Sequence, residues 1–311
     1  MPTLRPEWLF DDSAIPDPHD RARDMLAFAD ILQHPKATGI DRRPLRSPWQ
    51  RRIVERIYGP SDGIGRREVS TVFILLPRGA RKTTLASVLA LGHVVGPAKL
   101  PGGQVISAAS DRAQARIAYE EAKAMIEADM RVARYARIRD TRNAIEHNRL
   151  GTTYLAISAD GDAQHGKTPN FVLADELHVW RGLGLWSALK TGCSKVPGSL
   201  TVVITTAGER PEGICWELYQ YARRVHAEPT LDPSFLPILF EADPKADWDD
   251  EKEWHRVNPG LAEGFPDLHA LRAEALQARF MPRQRDAFAQ THLNRWGDGS
   301  AAGWVEMDLY D

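Results

Sequence analysis

A lysine and a threonine, Lys82 and Thr83, stand directly between a short apolar run and a longer, mostly apolar stretch. Their spacing fits the end of the pattern G-x-x-x-x-G-K-[ST], in which backbone N–H groups and a helix N-terminus bind phosphates. Both glycines of that pattern are replaced, the first by Leu76 and the second by Arg81. Gly79 remains to supply a backbone that tolerates positive φ. The segment therefore predicts a divergent phosphate-binding loop, with helical backbone angles at Arg81 and unusual ones at Gly79.

In such a loop the lysine reaches the β- and γ-phosphates, and the hydroxyl of the next residue binds Mg²⁺. Lys82 and Thr83 are the candidates for these two contacts. A solvent-exposed basic turn has a similar composition, so the loop by itself leaves both interpretations open. The predicted nucleotide contacts comprise the whole segment: Pro77, Arg78, Gly79, Ala80, Arg81, Lys82, Thr83 and Thr84.

Two adjacent carboxylates follow a second apolar run in FVLADELH (171–178). This is the Walker B form, in which a buried strand presents acidic side chains at its carboxyl end, where parallel sheets bind ligands. We expect Asp175 to hold Mg²⁺ through water and Glu176 to polarise the attacking water as a general base. The alternative is an Asp–Glu pair that caps the next helix.

A third apolar run, VVITTAGE (202–209), ends in small and polar residues. Helicase-like motors have a short polar motif at this point, which senses the γ-phosphate and couples hydrolysis to movement. Thr205, Thr206 and Gly208 are the candidate coupling residues, although a strand that simply ends in a turn has a similar sequence.

Alternating strands and helices must position these three motifs. The patterns predict helices near 18–33, 47–59, 83–95 and 111–129, and strands at 71–76, 104–110, 152–158, 170–175, 200–206 and 235–241. This alternation favours an α/β fold whose mostly parallel sheet is covered by helices on both faces. About 90 residues separate Lys82 from Asp175, which suits the P-loop NTPases with an additional strand between the two motifs. Helices dominate after residue 207.

The bulk composition excludes some functions and leaves others open. The chain has 311 residues, 43% of them hydrophobic, and a net charge of −2, so no global basic field indicates nucleic acid. Two arginine-rich segments, 131–149 and 272–295, remain candidates for DNA contact or for solvated helix faces. Cys193 and Cys215 lack metal or redox spacing and are expected to be reduced. The longest uncharged run, 83–98, is too short to span a membrane, and the N-terminus does not resemble a signal peptide.

Several of these motifs, taken together and in order, resemble the ATPase domain of the large terminase subunit of tailed bacteriophages. The loop resembles the family's degenerate Walker A form at Pro77, Arg78, Lys82 and Thr83, and departs from it at Arg81. The other matching segments are PWQ (48–50), SAASDRAQARIAYEEAKAMI (107–126), SADGDAQHGKTPNFVLADELH (158–178) with Gly166 and His178, TTAG (205–208), DWDDEKEWHRVNPGL (247–261) and THLNRW (291–296). The resemblance covers residues 45–297.

The resemblance implies an ATP- and Mg²⁺-dependent motor that translocates double-stranded DNA. Gln50 is expected at the adenine edge, and Arg78 is expected to contact the γ-phosphate in cis beside Lys82 and Glu176. Arg210 is the first candidate for a finger supplied in trans by a neighbouring subunit, and Arg149 is the second. Implied partners are the portal of a procapsid, a small terminase subunit and further copies in a ring, in the host cytoplasm and without a membrane.

The resemblance also implies a domain layout. We expect an N-terminal extension (1–45), a P-loop ATPase core (46–209), a small mainly helical lid or linker subdomain (210–296) and a linker (297–311) toward a nuclease domain that this sequence lacks. Asp308 and Asp311 are too few for a two-metal nuclease site, so no DNA cleavage is expected. The alternatives are another P-loop DNA motor of helicase type, or a degenerate P-loop protein that binds without hydrolysis.

Overall fold

The computed structural model describes residues 3–37, 40–158 and 166–297, and its strands form one mixed sheet. The strands, in chain order, are β1 (Thr71–Leu75), β2 (Gln104–Ala109), β3 (Ala136–Arg139), β4 (Ala144–His147), β5 (Thr153–Ser158), β6 (Phe171–Asp175), β7 (Leu200–Thr205) and β8 (Phe235–Leu239). Their order in the sheet is β3-β4-β5-β2-β6-β7-β1-β8. From β5 to β8 in this order, every neighbouring pair is parallel.

The predicted additional strand is present, because β7 lies between β1 and β6. Every residue of β1 is buried, as expected for a parallel strand covered on both faces. Alternate residues of β1 point to opposite faces, so that Val72 and Ile74 join one hydrophobic cluster and Phe73 and Leu75 the other. The carboxyl ends of β1, β6 and β7 meet at one edge of the sheet, which places the three predicted motifs side by side.

Strands β3 and β4 form an antiparallel hairpin that the sequence analysis missed. β4 pairs antiparallel with β5, which makes the sheet mixed at this edge. The sequence analysis treats segment 131–149 as a basic stretch because it is rich in arginine. Within it, arginines alternate with apolar residues in ARIR (136–139). That alternation is a strand pattern of period two: Arg137 and Arg139 are exposed, while Ile138 packs against the core.

Helices cover both faces of the sheet. On one face lie α1 (Arg21–Ile31), α2 (Pro48–Tyr58), α3 (Lys82–Val94), α4 (Arg112–Glu127) and α5 (Met130–Ala133). On the other lie α6 (Gly184–Cys193) and α7 (Gly213–Ala227). The helix α2, predicted near 47–59, begins after Ser47 with a proline at its first position. The α/β fold with helices on both faces is therefore confirmed.

The C-terminal part divides differently from the prediction. The sequence placed residues 210–296 in a helical subdomain, whereas α7 packs on the sheet and β8 pairs with β1 within it. The helices that follow are α8 (Glu251–Val257), α9 (Leu268–Ala278) and α10 (Pro282–Leu293). They join the first hydrophobic cluster, so residues from about 243 onward form the helical addition.

The N-terminal segment is also part of the core. Leu9, Met25 and Leu32 are buried in the first hydrophobic cluster, and Leu4 forms a β-bridge with Glu241. Cys193 and Cys215 are both free and buried, as expected. Among the residues that the structure describes, no helix has the length and apolar character needed to cross a membrane.

Candidate active site

The loop between β1 and α3 has left-handed backbone at two positions. Gly79 has φ of +87°, which confirms the unusual backbone angles predicted for it. Arg81 has φ of 53° and ψ of 39°, so the predicted helical angles at this residue are wrong. The helix begins one residue later, at Lys82, and Arg81 is its N-cap. A side chain at positive φ costs energy, and glycine, which the usual pattern has here, avoids that cost.

Residues of the C-terminal helical addition hold this loop. The Arg81 guanidinium carbon lies 4.2 Å from the centre of the Phe265 ring, a cation–π contact. A Cβ built on Gly79 would lie 2.7 Å from Cβ of Pro266, so the space there admits only glycine. The backbone N–H of Arg78 donates to the carbonyl of Thr291 at 2.7 Å. The unusual loop conformation is thus fixed from outside the P-loop segment.

Lys82 and Glu176 form an ion pair that joins two of the predicted motifs. Lys82 Nζ lies 3.3 Å from Glu176 Oε1 and donates to the carbonyl of Leu76 at 3.2 Å. Burial lowers the pKa of Lys82, and the negative charges of Glu176 and Asp175 oppose that shift. The lysine side chain therefore lies across the carboxyl edge of the sheet, from β1 to the end of β6.

The two carboxyl groups after β6 differ in their protonation. Burial raises the pKa of Asp175 to about 7, and the neighbouring charge of Glu176 acts in the same direction. Burial acts to raise the pKa of Glu176 as well, but the hydrogen bond from His178 and the charge of Lys82 outweigh it and hold this pKa at about 2. Glu176 is accordingly the ionised member of the pair at neutral pH.

The end of β7 contributes a hydroxyl to the same cluster. Thr206 Oγ1 lies 3.5 Å from Glu176 Oε2. His178 Nδ1 lies 3.2 Å from Glu176 Oε2 and 3.0 Å from Thr205 Oγ1, so this histidine bridges the Walker B carboxylate and β7. Thr205 is fully buried and orients His178, whereas Thr206 faces the carboxylate. Gly208 packs against Trp296, where a Cβ would lie 2.8 Å from the ring.

A cleft of about 840 Å³ opens at this edge of the sheet. Its walls combine the P-loop, the ends of β6 and β7, the start of α4 and one side of α10. The lining residues are Arg78, Gly79, Arg81, Lys82, Thr83, Ser110, Asp111, Gln114, Glu176, His178, Val179, Thr206, Glu209, Ala287, Gln290 and Thr291. A volume of this size accommodates a nucleotide-sized ligand.

Comparison with known proteins identifies the family of this fold and cleft. Residues 48–224 match the family model described as the terminase large subunit, ATPase domain. This span exceeds half of the chain. The chain belongs to the terminase large subunit ATPase-domain family. The resemblance to that family is therefore confirmed at the level of family and fold.

Individual relatives share low sequence identity with this terminase ATPase domain. The terminase large subunit of Enterobacteria phage HK97 is 24% identical over 281 residues, which cover 88% of this chain and 53% of that protein. The crystal structure of the HK97 bacteriophage large terminase has a TM-score of 0.78 at 23% identity, over 89% of this chain and 55% of that chain. Protein YmfN of Escherichia coli (strain K12) is 24% identical over 137 residues, or 44% of this chain and 30% of that protein. The chain spans about half the length, or less, of these relatives.

Some predicted site residues of the terminase ATPase domain lie away from the cleft. The Thr84 hydroxyl donates a hydrogen bond to Glu121 Oε1 of α4 at 2.5 Å. Thr84 does not line the cleft. Pro77 and Ala80 are buried beneath the loop. Arg210 is 65% exposed and lies 3.9 Å from Glu212, beside the lining residue Glu209. Arg149 follows β4, whose end pairs with the start of β5, at the opposite edge of the sheet.

The cleft also contains residues that the sequence analysis did not predict. Gln290 and Thr291 come from α10, far along the chain from the Walker motifs. Asp111 caps α4, its side chain accepting from the backbone N–H of Gln114 at 3.0 Å. An Asp followed three residues later by Gln, just before a helical pattern, resembles a capping motif and locates this helix start. Nothing local in the sequence indicates the α10 contribution.

The residues present fit a nucleotide with Mg²⁺. The N-terminus of α3 and the left-handed loop border the cleft, and the unpaired N–H groups at a helix N-terminus suit phosphates. Gln50 is buried and does not line the cleft, and its Nε2 has no hydrogen-bond partner among the described residues. Thr83 and Asp175 supply the oxygen donors that Mg²⁺ prefers. The described residues contain no cluster of three or more His, Cys, Asp or Glu side chains suited to a metal.

Proposed function

We propose that this terminase ATPase domain hydrolyses ATP and uses it to translocate double-stranded DNA into a procapsid. The observation that carries the proposal is the 3.3 Å ion pair between Lys82 and Glu176 across the cleft. Phosphoryl transfer to water needs a cation at the phosphates and a carboxylate at the attacking water, within a few ångströms of each other. These two side chains meet that requirement at the carboxyl edge of the sheet.

The chemistry assigns different roles to the two groups. Lys82 binds the β- and γ-phosphates, for which it must leave Glu176. Glu176 orients the attacking water and accepts its proton. Once Lys82 contacts phosphate, its charge no longer lowers the pKa of Glu176, so the carboxylate becomes a stronger base when substrate is bound. Nucleotide binding thus prepares the general base.

Further residues in or near the cleft complete the proposed site. Thr83 and Asp175 would hold Mg²⁺, which supplies positive charge to the phosphates in the transition state. Arg78, exposed at the cleft, is proposed to contact the γ-phosphate in cis. Arg210 is proposed to act in trans, since it is exposed beside the cleft and a neighbouring subunit in a ring could present it. Thr206, within 3.5 Å of Glu176, is proposed to sense the γ-phosphate, with Thr205 and Gly208 positioning it.

The proposed partners are duplex DNA, the portal of a procapsid, a small terminase subunit and further copies of this chain, in the host cytoplasm. Family membership supports this set. The β3–β4 edge supports the DNA contact. Four of its arginines form no ion pair with any carboxylate of residues 3–37, 40–158 and 166–297: Arg134, Arg137, Arg142 and Arg149. Arg131 and Arg139 of the same segment are paired with carboxylates, as are Arg272, Arg279 and Arg285 of segment 272–295.

An ATPase assay with and without long duplex DNA tests the proposal. Wild-type protein should hydrolyse ATP, and duplex DNA should stimulate the rate more than single-stranded DNA does. Lys82→Ala should lose nucleotide binding and turnover, whereas Lys195→Ala, a change at an exposed lysine, should behave as wild type. Glu176→Gln should bind nucleotide at least as tightly as wild type, because Lys82 is released, yet fail to hydrolyse it.

Two results would favour the alternatives. Stimulation by single-stranded DNA alone would indicate a helicase-type motor. Binding without turnover in the wild type would indicate a degenerate P-loop protein, the interpretation that the replacement of the usual glycine by Arg81 favours. Near-normal turnover in Glu176→Gln would show that another group is the base.

A further inference from the structure

The C-terminal end of α10 (Pro282–Leu293) is a junction between separate parts of the molecule. The last carbonyls of a helix have no partner within the helix. Here three of them accept hydrogen bonds from three different segments. Thr291 accepts from the Arg78 backbone N–H of the P-loop at 2.7 Å, His292 from Asn258 Nδ2 at 3.0 Å, and Leu293 from the Ala242 N–H after β8 at 3.0 Å.

Two side-chain amides at this helix end hold one peptide residue of the coupling segment. Gln290 Nε2 donates to the Ala207 carbonyl at 3.0 Å. Asn294 Oδ1 accepts from the Ala207 N–H at 3.1 Å. The two amides are one helical turn apart, so they reach the same neighbour. Ala207 is fully buried, and both of its backbone polar groups therefore depend on α10.

Asn294 is itself fixed from two sides. It is fully buried, adopts φ of 51°, and donates from Nδ2 to the Phe240 carbonyl at 2.7 Å. Asparagine tolerates this left-handed conformation better than most residues. The amide thus connects the end of β8 to the coupling segment, with no freedom for its side chain to move independently.

Ala207, the residue that Gln290 and Asn294 hold, lies next to the proposed catalytic site. Thr206 precedes Ala207 and lies 3.5 Å from the Glu176 carboxylate. Gly208 follows it and accepts from the Gly297 N–H at 3.2 Å. The orientation of the Thr206 hydroxyl therefore depends on a peptide that α10 holds, and the same contacts continue to the last described residue of the chain.

We infer that Gln290 and Asn294 are positioning residues for hydrolysis, which act by fixing Ala207 and through it the Thr206 hydroxyl beside Glu176. The inference rests on the proposed ATPase activity. Because α10 also holds the P-loop through Arg78, the P-loop and the coupling segment share one support. Neither amide needs to touch the substrate for this role.

Gln290→Met is the decisive variant, because methionine preserves the approximate shape and removes the donor to Ala207. Gln290 is only half-buried, so the fold should persist. Misplacement of a catalytic group by about 1 Å can cost about a hundredfold in rate. We expect kcat to fall by at least about tenfold toward that figure, while the nucleotide Kd stays within about threefold, since Gln290 holds the coupling segment and not the phosphates. Gln284→Met, an exposed position on the same helix, is the matched control and should change neither quantity.

Hydrogen exchange at the Ala207 amide gives a second readout. Asn294→Ala removes the acceptor for this N–H, so exchange there should accelerate while the strands of the sheet stay protected. If Asn294→Ala does not fold, the Gln290→Met kinetics still decide the matter. An unchanged kcat in Gln290→Met, or an equal loss of binding and kcat, would overturn the inference while leaving wild-type ATPase activity intact. Absence of hydrolysis in the wild type would instead overturn both proposals.

Discussion

The two left-handed residues of the P-loop should differ in how strongly ATP affinity responds to their substitution. Arg81→Gly relieves about 1–2 kcal/mol of left-handed strain. It also removes the cation–π contact with Phe265, worth about 0.5–1 kcal/mol, and adds about 0.4–1 kcal/mol of unfolded-state entropy. These terms nearly cancel. We expect ATP affinity within about tenfold of wild type, or about 1.4 kcal/mol.

Gly79→Val should be far more harmful. A β-branched residue at φ of +87° costs about 1–3 kcal/mol. Its Cβ would also lie 2.7 Å from Cβ of Pro266, and overpacking of this kind costs about 1–3 kcal/mol. If the substitution destabilises the binding-competent conformation of the loop by even about 2 kcal/mol, ATP affinity weakens by about thirtyfold. Gly63→Val is the matched control, because a Cβ at Gly63 meets nothing within 4 Å and its φ is not positive.

Equilibrium titration with a fluorescent ATP analogue, beside urea unfolding of each variant, measures both effects. Unfolding data separate a distorted loop from a destabilised domain. If Arg81→Gly loses more than tenfold in affinity while Gly79→Val binds normally, the loop is not held in the way described, and Arg81 contacts the nucleotide directly.

Three further predictions concern other parts of the site. Because the folded-state pKa of Asp175 is raised from 3.8 to about 7, its contribution to stability is lost as pH rises through that window. The free energy of unfolding of the wild type, measured with urea, should therefore fall between those pH values relative to that of Asp175→Asn. Gly208→Ala should lower the free energy of unfolding by about 1–3 kcal/mol through contact with Trp296, whereas Gly184→Ala, in open space at a helix start, should not. If Arg210 acts in trans, mixing its alanine variant with the inactive P-loop lysine variant should restore some ATPase activity, and no recovery at any ratio would exclude that role.

The fold class was predictable because its determinants are local. Continuous apolar runs such as 71–76 and 200–206 indicate buried parallel strands, since a strand covered on both faces needs no polar alternation. The strand-to-helix order around Lys82 and the carboxylates after β6 follow from the same patterns. The hairpin β3–β4 was missed because four-residue strands with alternating arginines are also typical of a solvated basic segment.

The site itself was predictable only where the chain delivers a side chain at the end of a strand. Lys82, Asp175, Glu176 and Thr206 come together because parallel strands end at one edge of the sheet. Thr84, one residue beyond the lining Thr83, was misassigned because one step along a helix rotates a side chain by about 100°, here toward Glu121.

The sequence by itself determined the six parallel strands, their order along the chain and the chemical groups at the strand ends, but not the β3–β4 hairpin. Only the tertiary structure decided how the loops between them are held. Arg81 adopts a left-handed conformation because Phe265 and Pro266 pack on the loop, and Ala207 is fixed because Gln290 and Asn294 reach it from α10. These contacts join residues far apart in the chain, and no local pattern encodes them, because hydrogen-bond partners of loop backbone are chosen by packing and not by periodicity.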